Sequence, residues 1–381
     1  VGTMLPAGFS TSASLADVLT SCLATVTGAR GAIDLPEVSR TVVVVVDGLG
    51  SHALRARSGH ARFLAPRLTK ATTITSGSPT TTAAAITTLC TGRMPGEHGI
   101  IGYRARDPRT GRVFNHLSGW NGDPDPATWQ RCETVFQRAT AQGVAAYAIG
   151  PERYSSSSFT AASLRGAEYV GANSMQRRVE LVRDLFDRGG RQVVYLYVPE
   201  LDVVAHAQGS ESDAWLVALE QLDSVMSTLA RSLRADEGAL VTADHGILDV
   251  PQASHVLFDT APELTAGVQR VGGEPRMLQL YLDRDADADG REMLAASWRE
   301  AEGHRAWVAT RSEAIEAGWF GPTVDIQVAP RIGDVLVAAR ARIAYYDSSP
   351  EGMRSRTMVG QHGSFSPEEQ KVPLIRLGAF E

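Results

Sequence analysis

The sequence predicts an α/β protein with a mostly parallel central sheet, helices on both faces, and a small inserted α+β subdomain. Three observations predict it. Unbroken apolar runs rich in β-branched residues stop abruptly at an acidic residue, as Thr41–Val46 does at Asp47 and Ala239–Thr242 does just before Asp244. These runs alternate with segments of helical period, the pattern of strands joined by helical crossovers. A stretch from about 265 to 335 then switches to short strand and helix segments of its own before residues of the first kind return.

In chain order, Leu15–Val26 places its apolar residues at helical spacing. Thr41–Val46 lacks the polar alternation of a half-exposed strand and so reads as covered on both faces. It ends in Asp47-Gly48-Leu49-Gly50, at the carboxyl end of a strand, where open α/β sheets place their ligands. Ala83–Leu89 reads as a helix, Val144–Ile149 and Val193–Val198 as strands, with Met175–Phe186 as a helix between them. Ser212–Leu233 is a second long helix, and Ala239–Thr242 a further buried strand. Parallel neighbours follow, because a helix between two strands supplies the crossover that a parallel pair needs.

Met277–Leu282, Glu292–Ala301, Ala306–Thr310 and Ser312–Ala317 alternate strand and helix in a compact module. Val335–Ala338 and Ile343–Tyr346 return to strand character. The domain reading is a core of residues 1–264 and 336–381 interrupted by a cap or side subdomain at 265–335. The serine run Ser155–Ser158 reads as an exposed loop that could line a cleft.

Composition narrows the function. The 381 residues are 43% hydrophobic and 21% charged, an ordinary globular balance that excludes large-scale disorder. A net charge of −6 and a pI near 5.9 give no general attraction to nucleic acid or anionic membrane. A phosphate-bearing substrate must therefore be drawn by local charge. Lys70 and Lys371 are the only lysines among 37 basic residues, which reads as base-composition bias. Cys22, Cys90 and Cys132 lack CxxC spacing, so neither a disulfide framework nor a cysteine zinc site is expected. No apolar run is long enough to span a membrane, and no secretion signal is visible. The expected location is cytoplasmic, with a removed leader left open because the chain begins at Val1.

Four separated segments place Asp or His beside glycine or just after a strand: Asp47, the pair Asp202 and His206, the pair Asp244 and His245, and His362. Asp202 and His206 are four residues apart, which puts both on one face of a helix. Aspartate and neutral histidine suit zinc, with manganese or iron as substitutes, because such nitrogen–oxygen sites discriminate weakly. Six donors fit two divalent ions better than one. Against three aspartates those ions leave roughly one positive charge, the right sign for phosphate. A nucleophile is expected from Ser78-Pro79-Thr80-Thr81-Thr82, ahead of a helix whose N-terminus offers N–H groups to phosphate oxygens. A threonine hydroxyl needs a metal to lower its pKa before it attacks phosphorus. The structural alternative is that the string only caps the helix.

Taken in order, the pieces resemble the alkaline phosphatase superfamily, and within it the type I phosphodiesterase/nucleotide pyrophosphatase family, with phosphonoacetate hydrolase close by. They run strand-Asp-Gly, Pro-x-x-Thr before a helix ending Thr-Gly, His-Gly, Asp-x-x-x-His, Asp-His-Gly and a late His-Gly. The resemblance implies Thr82 as nucleophile, three residues after Pro79 and ten before Gly92, with Thr81 as the alternative. It implies one metal on Asp202, His206 and His362, and a second on Asp47, Asp244, His245 and the Thr82 oxygen. The implied reaction is in-line attack on a phosphodiester or phosphoanhydride through a covalent phospho-threonine, with a small phosphoester or nucleotide as substrate. One departure stands out: five residues after His98, where phosphodiesterase relatives place a phosphate-holding asparagine, this chain has Tyr103. Tyr103, Arg104 and Asn115 are therefore the candidate substrate contacts. The departure also keeps open a phosphomonoesterase, phosphonate hydrolase or phosphoryl transferase on the same scaffold, and more remotely a silent metal- or nucleotide-binding module. Oligomeric state is not predicted.

Overall fold

The computed structural model describes residues 4–8, 12–283 and 285–381. Its central sheet contains, in chain order, β1 (Arg40–Val46), β2 (Thr73–Thr75), β3 (Ala145–Gly150), β4 (Glu168–Gly171), β5 (Gln192–Val198) and β6 (Glu237–Thr242). Further along come β7 (Val268–Glu274), β8 (Met277–Leu282), β9 (Ala306–Thr310) and β10 (Val335–Ala339), which form a second sheet, and then β11 (Lys371–Gly378), which rejoins the first. Among the described residues the central sheet has seven strands in the order β2-β11-β6-β1-β5-β3-β4. Strands β6, β1, β5, β3 and β4 are parallel, and β11 is antiparallel to β6.

Burial explains the apolar run in β1. Successive side chains of a strand point to opposite faces, and Val42–Val46 are all 0% exposed, so both faces must be covered. The helices α1 (Leu15–Val26) and α2 (Thr82–Thr91) pack on one another, and α1 also packs on β1 and β5. A second group, α3 (Met175–Phe186), α4 (Glu200–Gln208) and α5 (Asp213–Ser232), packs through α5, which also touches β11. No helix among the described residues is long and apolar enough to cross a membrane.

The direction of β11 positions the site. Parallel strands bring their carboxyl ends to one edge, and an antiparallel strand starts at that same edge. The segment leading into β11, which carries His362, therefore meets the ends of β1, β5 and β6. Strand β2 is antiparallel to β11 and so runs with the others, delivering residues 76–82 to the same edge.

The second sheet has the order β7-β8-β10-β9 and is antiparallel throughout. Its helix, α6 (Ala288–Glu302), buries Leu294, Ala295 and Trp298 against it. This helix starts earlier than its apolar pattern suggests, because Asp287 caps it by accepting the N–H of Gly290 at 2.8 Å. Val335–Ala339 pairs with both β8 and β9. We propose that the inserted unit extends through Ala339, past the boundary expected at 335, since closing it there would remove an inner strand of its sheet. A buried bidentate pair fastens the two sheets together: Arg276 Nε and Nη2 donate to Glu369 Oε1 and Oε2, both at 2.8 Å.

Candidate active site

Asp47 follows β1, and its backbone N–H donates to the Val198 carbonyl at 2.9 Å, which extends the β1–β5 pairing by one residue. The chain then turns at Gly48, with φ +72°, a conformation open to glycine at no steric cost. A Cβ there would lie 3.1 Å from Asp202 Oδ1 and 3.2 Å from Asp202 Cβ. The turn after one strand is thus packed against the first turn of α4. On α4, Asp202 Oδ2 and His206 Nε2 are 3.3 Å apart, the shared face that their spacing predicts.

The structure brings the donors into two groups. Asp202, His206 and His362 form one; Asp47, Asp244 and His245 form the other; in each, the donor atoms lie within 4.8 Å of one another. The two groups touch, because the His245 and His362 rings stack with centroids 3.7 Å apart. Each histidine is oriented by a backbone carbonyl on Nδ1: Gly360 for His206 at 2.8 Å, Gly246 for His245 at 3.1 Å, and Thr80 for His362 at 2.8 Å. Nδ1 therefore carries the proton, and Nε2 keeps its lone pair toward the donor group.

The carboxylates fit a metal for a similar reason. Asp47 Oδ1, Asp202 Oδ1 and Asp244 Oδ2 are buried without a hydrogen-bond partner. Their other contacts are protein donors: Tyr197 donates to Asp47 Oδ2, and the His245 and Gly48 N–H groups donate to Asp244 Oδ1 at 2.9 and 3.3 Å. Burial, together with Asp202 and Asp244 nearby, holds the Asp47 carboxyl well above the usual range. Burial also raises Asp244, while His245 pulls it down. Burial and the neighbouring His245 and His206 hold His362 well below its usual value, which keeps it neutral. Buried charge of this kind is stable only when paired or bound to a cation.

Thr82 is the first residue of α2, and its Oγ1 lies 3.1 Å from His245 Nε2. Thr81 occupies the N-cap position, yet its side chain makes no cap hydrogen bond. Thr80 ties the threonine loop to the loop of His362. Its hydroxyl donates to the Ser364 carbonyl at 2.7 Å and accepts from the Gly363 N–H at 3.1 Å.

Both donor groups open into a cavity of about 400 Å³. Tyr103 lines it; Arg104 and Asn115 are not among the lining residues. The Arg104 guanidinium instead meets Glu351 at 3.1 Å, and Asn115 Oδ1 accepts the Leu117 N–H at 2.7 Å. His98 is buried, accepts the Ile100 N–H on Nδ1 and faces Thr88 with Nε2, so it shapes its own loop. The serine run does reach the cavity, at Ser157, which also caps the helix Ser158–Ser163.

Sequence reasoning missed the aromatic wall of Tyr154, Phe159, Tyr169, Tyr195 and Tyr197, and the carboxyl group of Glu274. Tyr195 and Tyr197 stand two apart on one strand, a same-face signal that was available. Glu274 left no local signal.

Fold and site together define an alkaline phosphatase-like α/β protein with two oxygen–nitrogen donor groups beside a helix-terminal hydroxyl. The chain belongs to the type I phosphodiesterase/nucleotide pyrophosphatase family, whose model matches residues 41–365. An uncharacterised pyrophosphatase/phosphodiesterase of Schizosaccharomyces pombe is 24% identical over 227 residues, which are 57% of this chain and 44% of that relative. Among solved structures, murine ectonucleotide pyrophosphatase/phosphodiesterase 5 matches with a TM-score of 0.65 at 16% identity, covering 88% of this chain and 87% of its own. An inactive variant of the murine protein with a threonine replaced by alanine, in complex with AMP, matches at 0.66 and 15%, covering 89% and 88%. The human protein matches at 0.67 and 13%, covering 89% and 87%. At these identities the likeness concerns the fold.

Proposed function

We propose that this protein is a metal-dependent hydrolase of phosphodiester or phosphoanhydride bonds, acting through Thr82. The observation that carries the reading is the meeting of two donor groups, each with a buried unpartnered carboxylate oxygen, with the Thr82 hydroxyl 3.1 Å from His245 where they touch. Asp202, His206 and His362 would hold one divalent ion; Asp47, Asp244 and His245, with the Thr82 oxygen, would hold the other. Zinc suits this donor set best, with manganese or iron permitted. Two such ions would lower the threonine pKa and offset negative charge on the phosphoryl group.

The protein's own residues do the rest. His245 Nε2 faces Thr82 Oγ1, which helps aim the hydroxyl. Thr81 and Thr82, at the N-terminus of α2, line the cavity, and a helix N-terminus favours an anion beside it. Attack by Thr82 forms its bond to phosphorus while the bond to the leaving oxygen breaks; water then hydrolyses the phospho-threonine. The aromatic wall suits a planar organic group such as a nucleobase, in keeping with the AMP bound by the murine relative's threonine-to-alanine variant.

Tyr103 in the cavity lining supports a second reading, in which the same scaffold prefers a monoester, a phosphonate or phosphoryl transfer. One experiment tests both. Metal content is measured, and aryl diester and monoester hydrolysis are compared for wild type and Thr82→Ala. The proposal expects zinc in the purified protein, faster diester turnover, and loss of turnover in the variant. Full turnover by Thr82→Ala would remove the nucleophile, and a strong monoester preference would favour the second reading.

A further inference from the structure

Glu274 ends β7, at the seam between the two sheets. Its side chain is 5% exposed, and neither carboxyl oxygen has a hydrogen-bond partner. No salt bridge is made to it: Arg104 is paired with Glu351 at 3.1 Å and only tempers the group from a distance, while Arg276 is bidentate to Glu369, whose carboxylate raises it further. An ionised carboxylate in that position would be costly, and burial pushes the group up to about 8. The fold therefore keeps a buried acid to which no protein group is hydrogen-bonded.

Its place is in the wall of the active-site cavity, with Tyr103, Thr82 and His362. The Thr81 side chain lies beside it and tempers the upward shift without completing a hydrogen bond to either oxygen. On the other side is Gly363, where a Cβ would stand 2.5 Å from Glu274 Cγ and 3.4 Å from Oε1. Glu274 thus sits between the residue before Thr82 and the residue after His362.

We propose that Glu274, as the neutral acid, donates a hydrogen bond to a phosphoryl oxygen of the bound ester, alongside the Tyr103 hydroxyl. The inference rests on reading the cavity as a phosphoester site. A phosphoryl oxygen is an anionic acceptor, so it would repel a carboxylate and draw a donor; burial favours the same protonation state. The proton stays on Glu274 throughout. A comparable carboxylic acid held neutral by an apolar site can serve as a hydrogen-bond donor to developing negative charge.

The test uses the full zinc-loaded chain, with hydrolysis of bis(4-nitrophenyl) phosphate followed across the alkaline range for wild type, Glu274→Gln, Glu274→Ala and Thr82→Ala. Wild-type kcat/KM is expected to fall on the alkaline side as Glu274 loses its proton. Glu274→Gln keeps a donor that does not titrate, so its kcat/KM should lack that fall. Glu274→Ala should lose about a hundredfold at neutral pH, the usual scale for one preorganised donor. Thermal melting supplies a second readout. The folded state holds this proton to about pH 8, while the unfolded chain releases it near 4.5, so wild type loses stability across that window. Glu274→Gln should melt no lower than wild type and lose less stability there. Unchanged kcat/KM in Glu274→Ala, or the wild-type pH fall persisting in Glu274→Gln, would overturn the inference. If wild type hydrolyses the diester, Thr82→Ala does not, and Glu274→Ala is unaffected, this inference alone fails. An inactive wild type would sink the hydrolase reading and this inference with it.

Discussion

Gly48 is the position where one methyl group should disturb both halves of the site. Its φ of +72° costs an L-residue about 1–2 kcal/mol. The added Cβ would also meet Asp202 at Oδ1, Cβ and Cα, at 3.1, 3.2 and 3.4 Å, so Asp202 must yield by a few tenths of an ångström. Strain and contact together give about 2–3 kcal/mol for Gly48→Ala. Because the atom displaced belongs to a donor, zinc affinity should fall by about tenfold, the lower end for disturbances around metal ligands. Gly189→Ala is the control. Its φ is +77°, but nothing lies within 4 Å of the new Cβ, so it should lose about 1 kcal/mol of strain energy and no zinc affinity. Urea denaturation of the metal-free proteins and competitive chelator titration of zinc measure the two effects. Equal stability losses and equal zinc affinities in the two variants would refute the argument from close approach.

Two other outcomes follow from the same geometry. Chelation should abolish diester hydrolysis and lower the melting temperature, and zinc at a hundredfold excess over its Kd should return about 2.7 kcal/mol; a chelated protein with unaltered melting would argue against bound metal. Arg276→Met should cost about 3–5 kcal/mol in chemical denaturation, because it strands the buried Glu369 carboxylate. A loss below about 1 kcal/mol would mean that the pair is not what fastens the two sheets.

Much of the scaffold was legible because its signals are local. Leu15–Val26 and Met175–Phe186 are helices with the bounds that periodicity suggests, and Met277–Leu282 and Ala306–Thr310 are strands as read. The spacing of Asp202 and His206 was enough to place them on one helix face. What the sequence left unread was set by a cap or by non-local partners. The helix Ala288–Glu302 begins through Asp287 despite Gly290 in its first turn, and Val335–Ala339 is held in the second sheet by partners from two distant segments. Arg104 was adjacent in sequence to a cavity residue, but its guanidinium found Glu351, far along the chain.

The sequence alone determined which residues could hold metal or attack phosphorus, since that depends on side-chain chemistry and on short spacings such as Asp202 to His206 or Asp244 to His245. Tertiary structure decided whether they meet. The parallel ends of β1, β5 and β6, and the opposed direction of β11, carry four distant segments to one sheet edge. Folding also decided what each carboxyl group does there. Asp47 and Glu274 are chemically alike, but one lies among imidazoles and other carboxylates and the other between Thr81 and Gly363, an assignment made by packing rather than by neighbours in the chain.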